Sequence, residues 1–315
     1  IASVSYGAGP FVAMFLDITP STDVTIVCAI VLILIVMMLN LAGTRILAKV
    51  AFFGFAAELA GAVAVGGWLL LTERRHGLGV LFDSAGVEGS NSYLPAFLAA
   101  ALIGVYLYYG FEACGDVAEE VRNPGKRIPR SMRMTIYIGG AASFVITLAL
   151  LLAVPDFGAV ITGADPDPVT TVLRGAFGPV GFKVVLGIVL ISFLSCALSL
   201  QASASRLIYS YARDDMMPVS HAFKKISAKR HVPPYALLLT AILPICIVIA
   251  SKISENALTK IVSFASLGIY LAFMMVVMAA LRARLKGWRP SGKFTLGRWG
   301  LPVTLTALGY QLLAA

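Results

Sequence analysis

The chain has 315 residues, of which 59% are hydrophobic and only 13% charged, with a mean hydropathy of +0.88. Soluble domains carry about 25% charged residues, so this composition excludes a soluble globular protein and places the chain in a bilayer. The formal net charge of +9 follows from the sidedness of a membrane protein, argued below, and requires no nucleic acid.

A helix needs about 20 apolar residues to cross the hydrocarbon core. Segments 1–16, 24–40, 46–72, 92–118, 131–154, 180–212, 234–251, 258–281 and 301–315 are the candidate spans. The first is the end of a span and the last the start of one. Because the chain begins and ends in mid-helix, it is read as part of a longer membrane protein. The expected fold class is therefore all-α and polytopic, with residues 1–315 forming one transmembrane domain.

The span 46–72 carries Glu58, with nothing basic within a helical turn. A lone carboxylate at membrane depth is a functional candidate by default. Either it binds a proton, or it hydrogen-bonds a neighbouring helix. The outer loop 76–92, rich in Gly and Ser, is expected to be a plain surface connection.

The next span, 92–118, is broken. The apolar run 94–109 ends in Tyr109-Gly110-Phe111-Glu112-Ala113-Cys114-Gly115-Asp116. Two glycines five residues apart weaken the helix where a carboxylate enters. Interrupted membrane helices are tolerated where the freed backbone lines a protein-walled or watery cavity, which is how secondary transporters build sites at the bilayer midplane. An unwound turn here could hold the carboxylate or ammonium of a substrate. Glu112 is the deepest acid; it binds a cationic group, carries a proton, or is a protonated structural residue bonded to a neighbouring carbonyl. Asp116 lies four residues on, on the same face. Asp116 and the pair Glu119-Glu120 sit towards the inner surface and are expected to pair with loop arginines.

In segment 163–179, Asp165-Pro166-Asp167-Pro168 is a helix-start signal, so a short outer-face helix is expected, either a lid or a packing loop. In 180–212, residues 192–205 are full of small and hydroxyl side chains, which let helices approach closely. Ser195 and Ser199 could in addition line a cavity or ligate a cation. The last turns, 205–213, alternate polar and apolar and are expected to emerge into water. Tyr270, after Leu267-Gly268-Ile269, is a candidate gate, or an ordinary packed tyrosine.

Nineteen of the 25 Lys and Arg residues fall in alternate loops, above all 119–131, 206–233 and 282–300. By the positive-inside rule those loops are cytoplasmic, where basic clusters meet anionic lipid headgroups. Cys28, Cys114, Cys196 and Cys246 lie in apolar segments without metal or redox spacing. No paired metal-ligand spacing, nucleophile–base arrangement or phosphate loop is present, so neither enzyme chemistry nor a cofactor is expected.

Three stretches resemble the amino acid–polyamine–organocation transporters. They are Gly110-Phe111-Glu112 with 118–130 (AEEVRNPGKRIPR), Ser205-Arg206 with 211–218 (YARDDMMP), and 292–302 (GKFTLGRWGLP). These are similar to that family's sixth helix and following loop, the end of its eighth helix, and the loop before its eleventh. The nearest branch carries amino acids, γ-aminobutyrate, choline and related amines. The resemblance implies an inverted five-plus-five helix repeat, with substrate between the broken first and sixth helices. This chain would run from the end of the third helix to the start of the eleventh. Carried over by position, the substrate residues are Tyr106, Tyr109, Gly110, Phe111, Glu112 and Ala113, with Leu200 and Gln201 from the eighth helix. Some proton-coupled members use a Lys in the fifth helix; here Glu58 stands near that point, so H+ and Na+ both stay open as coupling ion. The implied activity is secondary active transport of an amino acid or small amine by alternating access. An obligate exchanger is the alternative, and a channel or a non-transporting sensor are further ones.

Overall fold

The structure is a computed structural model that describes residues 1–83, 94, 97, 98, 100, 101, 104, 108–253, 256–288, 292 and 294–314. In chain order its helices are α1 (Ala2–Phe15), α2 (Thr22–Leu41), α3 (Thr44–Thr72), α4 (Ala113–Asp116), α5 (Pro124–Ala153), α6 (Phe157–Ile161), α7 (Pro168–Arg213), α8 (Ser220–Phe223), α9 (Pro234–Ala250), α10 (Ala257–Leu285) and α11 (Gly300–Ala314). Among the described residues there is no strand. That is the outcome a bilayer imposes on a chain that cannot bond its backbone to water. Six helical stretches there are long and apolar enough to cross a membrane: α2, α3, α5, α7, α9 with its 3-10 extension to Ile253, and α10. The chain is an all-α polytopic membrane protein.

Local chemistry sets the helix ends. The Ser21 hydroxyl accepts from Val24 N–H to cap α2, and Asp167 accepts from Thr170 N–H to cap α7, with Pro168 in its first turn. Side-chain acceptors there satisfy N–H groups that the helix cannot. The expected short helix after Asp167 is present, but it runs into the following span. The join is Gly178, at φ 62 and ψ −176, followed by Pro179. That backbone bends one element into a short arm and a membrane-crossing body.

α7 is the hub, packing against α1, α2, α3 and α9 and carrying α4 on its far end. On one side Leu69, Ala149, Ala153, Phe182 and Leu186 join α3, α5 and α7 in a core; on another Val36, Ala197 and Leu198 join α2 to α7. Small residues set the spacing. A Cβ at Gly54 would overlap Ser195, and one at Gly61 would overlap Ile188, so these two glycines bring α3 onto α7. Outward-facing apolar side chains such as Val27, Met38, Phe52, Phe53 and Phe264 are exposed, a surface suited to lipid.

The turns 205–213 present two faces: Leu207, Tyr211 and Arg213 are exposed, as the alternation of polar and apolar residues suggests, whereas Ser205 and Ala212 are fully buried and Arg206 is 7% exposed. The buried Arg206 charge is neutralised by a carboxylate, described next.

Candidate functional site

The expected break is present. Gly104 is helical, whereas residues 109 and 110 are not, and Gly110 takes φ +102. Glycine adopts that conformation at little steric cost, and other residues do not. The chain regains helix at α4, where the Glu112 carbonyl accepts from Gly115 N–H at 2.6 Å and from Asp116 N–H at 3.3 Å. The half-buried Glu112 side chain turns back, and its Oε2 accepts from Gly110 N–H at 2.8 Å. The carboxylate thus occupies one of the backbone donors that the break sets free.

Neighbouring helices grip the break from two sides. The Phe111 ring lies 5.4 Å from that of Phe273 on α10. A Cβ on Gly140 of α5 would come within 2.9 Å of the Tyr108 ring, and one on Gly115 within 3.3 Å of the Met132 methyl. Between Met132 and Gly140, α5 widens into a π turn, Thr135–Gly139. Such bulges are local insertions that recur at functional sites. Sequence reasoning missed it; the Gly139-Gly140 pair is its one compositional trace.

Below the break, a polar stripe of α7 takes over. Ser195, Ser199, Ser203 and Arg206 follow at helical spacing on one face. Ser199 donates to its own helix at Ser195 O, 2.9 Å. Ser203 donates to Asp116 Oδ2. Arg206 Nε meets Glu120 Oε1 at 3.0 Å, and its Nη1 donates to Ala202 O and Ser205 Oγ. Arg213 Nη1 meets Glu119 Oε1 at 2.7 Å. Glu119 and Glu120 therefore pair with arginines as expected. Asp116 does not; both arginines are taken up beyond it, and a serine hydroxyl serves it instead. Sequence reasoning also missed Ser203, although its four-residue spacing from Ser199 was the available signal.

The sequence matches the amino acid permease family along residues 1–315. The chain belongs to this family. It is similar to an amino-acid permease BAT1 homolog of Oryza sativa subsp. japonica, 29% identical over 72% of this chain and 44% of the relative. It is also similar to the amino-acid permease BAT1 of Arabidopsis thaliana, 27% identical over 72% and 45%. A choline transporter of Saccharomyces cerevisiae is 22% identical over 69% and 38%. The chain spans less than half the length of these three relatives.

The remaining candidates scatter through the permease chain. Glu58 follows Gly54 by one helical turn, at the edge of the α3–α7 seam that also holds Ser195. It is exposed, and among the described residues its carboxylate has no hydrogen-bond partner. Gln201 is fully buried on the opposite side of α7, where Asn40 Nδ2 of α2 donates to its Oε1 at 3.1 Å. Asn40 Oδ1 and Gln201 Nε2 stay buried without a partner among the described residues. Leu200 beside it is half-buried. The Tyr270 hydroxyl lies 3.3 Å from that of Tyr310 on α11. Ala113 opens α4, Tyr109 is non-helical and sits in the break beside Gly110, and Tyr106 lies outside the described residues. Among the described residues no group of three His, Cys, Asp or Glu is placed to hold a metal ion.

Proposed function

We propose that this permease carries an amino acid or small amine across the cytoplasmic membrane as a secondary active transporter, with its substrate at the break around Gly110 and Glu112. The observation that carries this reading is the Glu112 carboxylate folded onto the N–H of a glycine in a left-handed conformation. Backbone donors at such a break suit a substrate carboxylate, and an acid at membrane depth suits an ammonium or a proton. The relatives, named as amino-acid permeases and a choline transporter, support that substrate class.

In the proposed mechanism the site opens to one side at a time. The α4 segment is held to α7 by Asp116–Ser203, Glu120–Arg206 and Glu119–Arg213. With loops 119–131, 206–233 and 282–300 cytoplasmic, these contacts close the inner side, and parting them opens it. Substrate arrival competes with Glu112 for Gly110 N–H and frees the carboxylate to take a proton or an ammonium. The chain contributes the third to eleventh helices of an inverted five-plus-five repeat. Either H+ or Na+ drives the cycle, with Glu58, Glu112, Asp116, Ser195 and Ser199 as coupling residues.

The test uses the full-length protein in proteoliposomes. Labelled neutral, acidic and cationic amino acids, γ-aminobutyrate, choline and polyamines are offered under an inward pH gradient without sodium. Saturable accumulation of one class is expected, with Glu112→Gln lowering uptake and flattening its pH dependence. Gln keeps an acceptor for Gly110 N–H, so the turn stays closed while the charge is lost. Wild-type pH behaviour in that variant overturns the role of Glu112. Absence of both uptake and counterflow overturns the carrier reading.

A further inference from the structure

The ends of α5 and α10 carry a charge pattern that the transport reading does not use. Residues 121–135 contain five Lys and Arg and no Asp or Glu; residues 281–300 contain six and none. These segments lie far apart in sequence, but the fold joins them. A Cβ on Gly125 would come within 3.9 Å of the Gly292 Cα, and one on Gly292 within 3.7 Å of the Gly125 carbonyl oxygen, so the two chains pass close to one another. The Arg133 guanidinium lies over the Phe294 ring, 4.7 Å from its centroid. Two basic segments thus become one surface at the same end of two membrane-crossing helices.

Among the described residues that surface has no internal counter-charge. The nearest acids in sequence, Glu119 and Glu120, are bonded to Arg213 and Arg206 of α7. Among the described residues Arg122, Lys126, Arg127, Arg130, Lys286 and Arg298 are exposed and have no carboxylate partner. Like charges gathered this way repel one another unless an anion is bound between them. The same surface also carries two of the chain's three tryptophans, Trp288 and Trp299, 53% and 61% exposed. Exposed tryptophan beside a membrane helix sits at the headgroup level, and guanidinium groups there match phosphate oxygens in paired hydrogen bonds.

From this juxtaposition we propose that the joined α5 and α10 ends form a docking surface for anionic phospholipid headgroups. Lys126, Arg127 and Arg130 engage phosphates from one side, Lys286 and Arg298 from the other, and Trp288 and Trp299 fix the depth. The surface concentrates anionic lipid around this face of the bundle. The proposal rests on the membrane reading alone and stands whether or not the protein transports amines.

The test uses the full-length protein with Trp68→Phe, reconstituted in bilayers, so that Trp288 and Trp299 carry more of the fluorescence. Quenching by dibrominated phosphatidylglycerol is compared with quenching by dibrominated phosphatidylcholine. The relative affinity for the anionic lipid is expected to be about tenfold, given several basic groups near the headgroups, and to fall as salt rises. The combined variant Lys126→Gln, Arg127→Gln, Arg130→Gln, Lys286→Gln should bring the ratio close to one. The charge-preserving pair Lys126→Arg, Lys286→Arg should leave it unchanged, which separates charge loss from misfolding. A wild-type ratio near one, or an unchanged ratio in the neutralised variant, overturns the proposal. Loss of preference in inorganic phosphate, but not in chloride of equal ionic strength, also overturns it and shows a soluble-phosphate site instead.

Discussion

Arg206 and Glu120, 86 residues apart in sequence, meet at 3.0 Å where the α7 body receives the segment that follows the broken helix. The two partners are not equally placed: the Arg206 side chain is 8% exposed and that of Glu120 is 42%. A buried charge whose partner is removed is left uncompensated, whereas a half-exposed one turns to water. Replacing the acid should therefore hurt more than replacing the base. Glu120→Gln is expected to lower stability by about 2 kcal/mol, less than the loss at a fully buried pair because water reaches Glu120. Arg206→Met, which keeps the packing volume, should cost about half as much. Thermal unfolding in detergent measures both; equal or reversed effects would refute the asymmetry.

Arg213 and Glu119 supply the internal control. Their side chains are 42% and 64% exposed, and exposed pairs contribute little to stability. A double-mutant cycle with Arg213→Gln and Glu119→Gln should give only a small coupling that shrinks further in high salt. A large, salt-insensitive coupling would mean that this pair is sheltered in the assembled protein.

The α3–α7 seam depends on a missing side chain. A Cβ at Gly54 would overlap both Cβ and Oγ of Ser195, so Gly54→Ala must push the helices apart or distort them. Overpacking of this kind costs about 1–3 kcal/mol. The second change Ser195→Gly should restore much of the loss in a melting experiment, because it removes the atoms in conflict. Failure of the rescue would place the cost of Gly54→Ala elsewhere than this contact.

The membrane-crossing helices were legible because uninterrupted apolar runs leave a bilayer chain few other choices, and the break was legible because glycines and a carboxylate interrupt such a run. Glu119 and Glu120 found arginines because charges near helix ends seek opposite charge. Other contacts were not legible. Hydroxyl residues serve close packing and polar bonding equally well, so composition could not tell that Ser203 would serve Asp116. The burial of Arg206 depends on Glu120 arriving from a distant segment. The π turn at Thr135–Gly139 is a matter of backbone register, and the Gly139-Gly140 pair alone does not specify it. The resemblance gives Gln201 as a substrate residue; its bond to Asn40, 161 residues away on α2, is a long-range contact that no local pattern announces.

Gly110 carries the break through its backbone. At φ +102 any residue with a Cβ is strained, and positive-φ outliers of this kind cost about 1–3 kcal/mol. Chain neighbours aside, no atom of the described residues lies within 4 Å of the position a Cβ would take, so Gly110→Ala tests conformation more than packing. The expected result is a fall in uptake of at least about tenfold, since 1.4 kcal/mol of misplacement already corresponds to a factor of ten in rate, with a folded protein whose melting temperature falls only modestly. Full activity in that variant would show that the left-handed turn is not needed.

The contact of Asp116 with Ser203 separates alternating access from a fixed pore. If the α4 segment must leave α7 for the inner side to open, tying the two together should arrest transport. In a background with Cys28, Cys114, Cys196 and Cys246 replaced by alanine, Asp116→Cys and Ser203→Cys place two thiols on side chains that touch in this structure. A short bifunctional methanethiosulfonate should join them and abolish substrate counterflow, and a reducing agent should restore it. Each single-cysteine protein should be indifferent to the same reagent. A cross-linked protein that still exchanges substrate at the wild-type rate would mean that the α4 segment stays seated on α7 throughout the cycle, and the opening movement would then have to be sought on another face of the bundle.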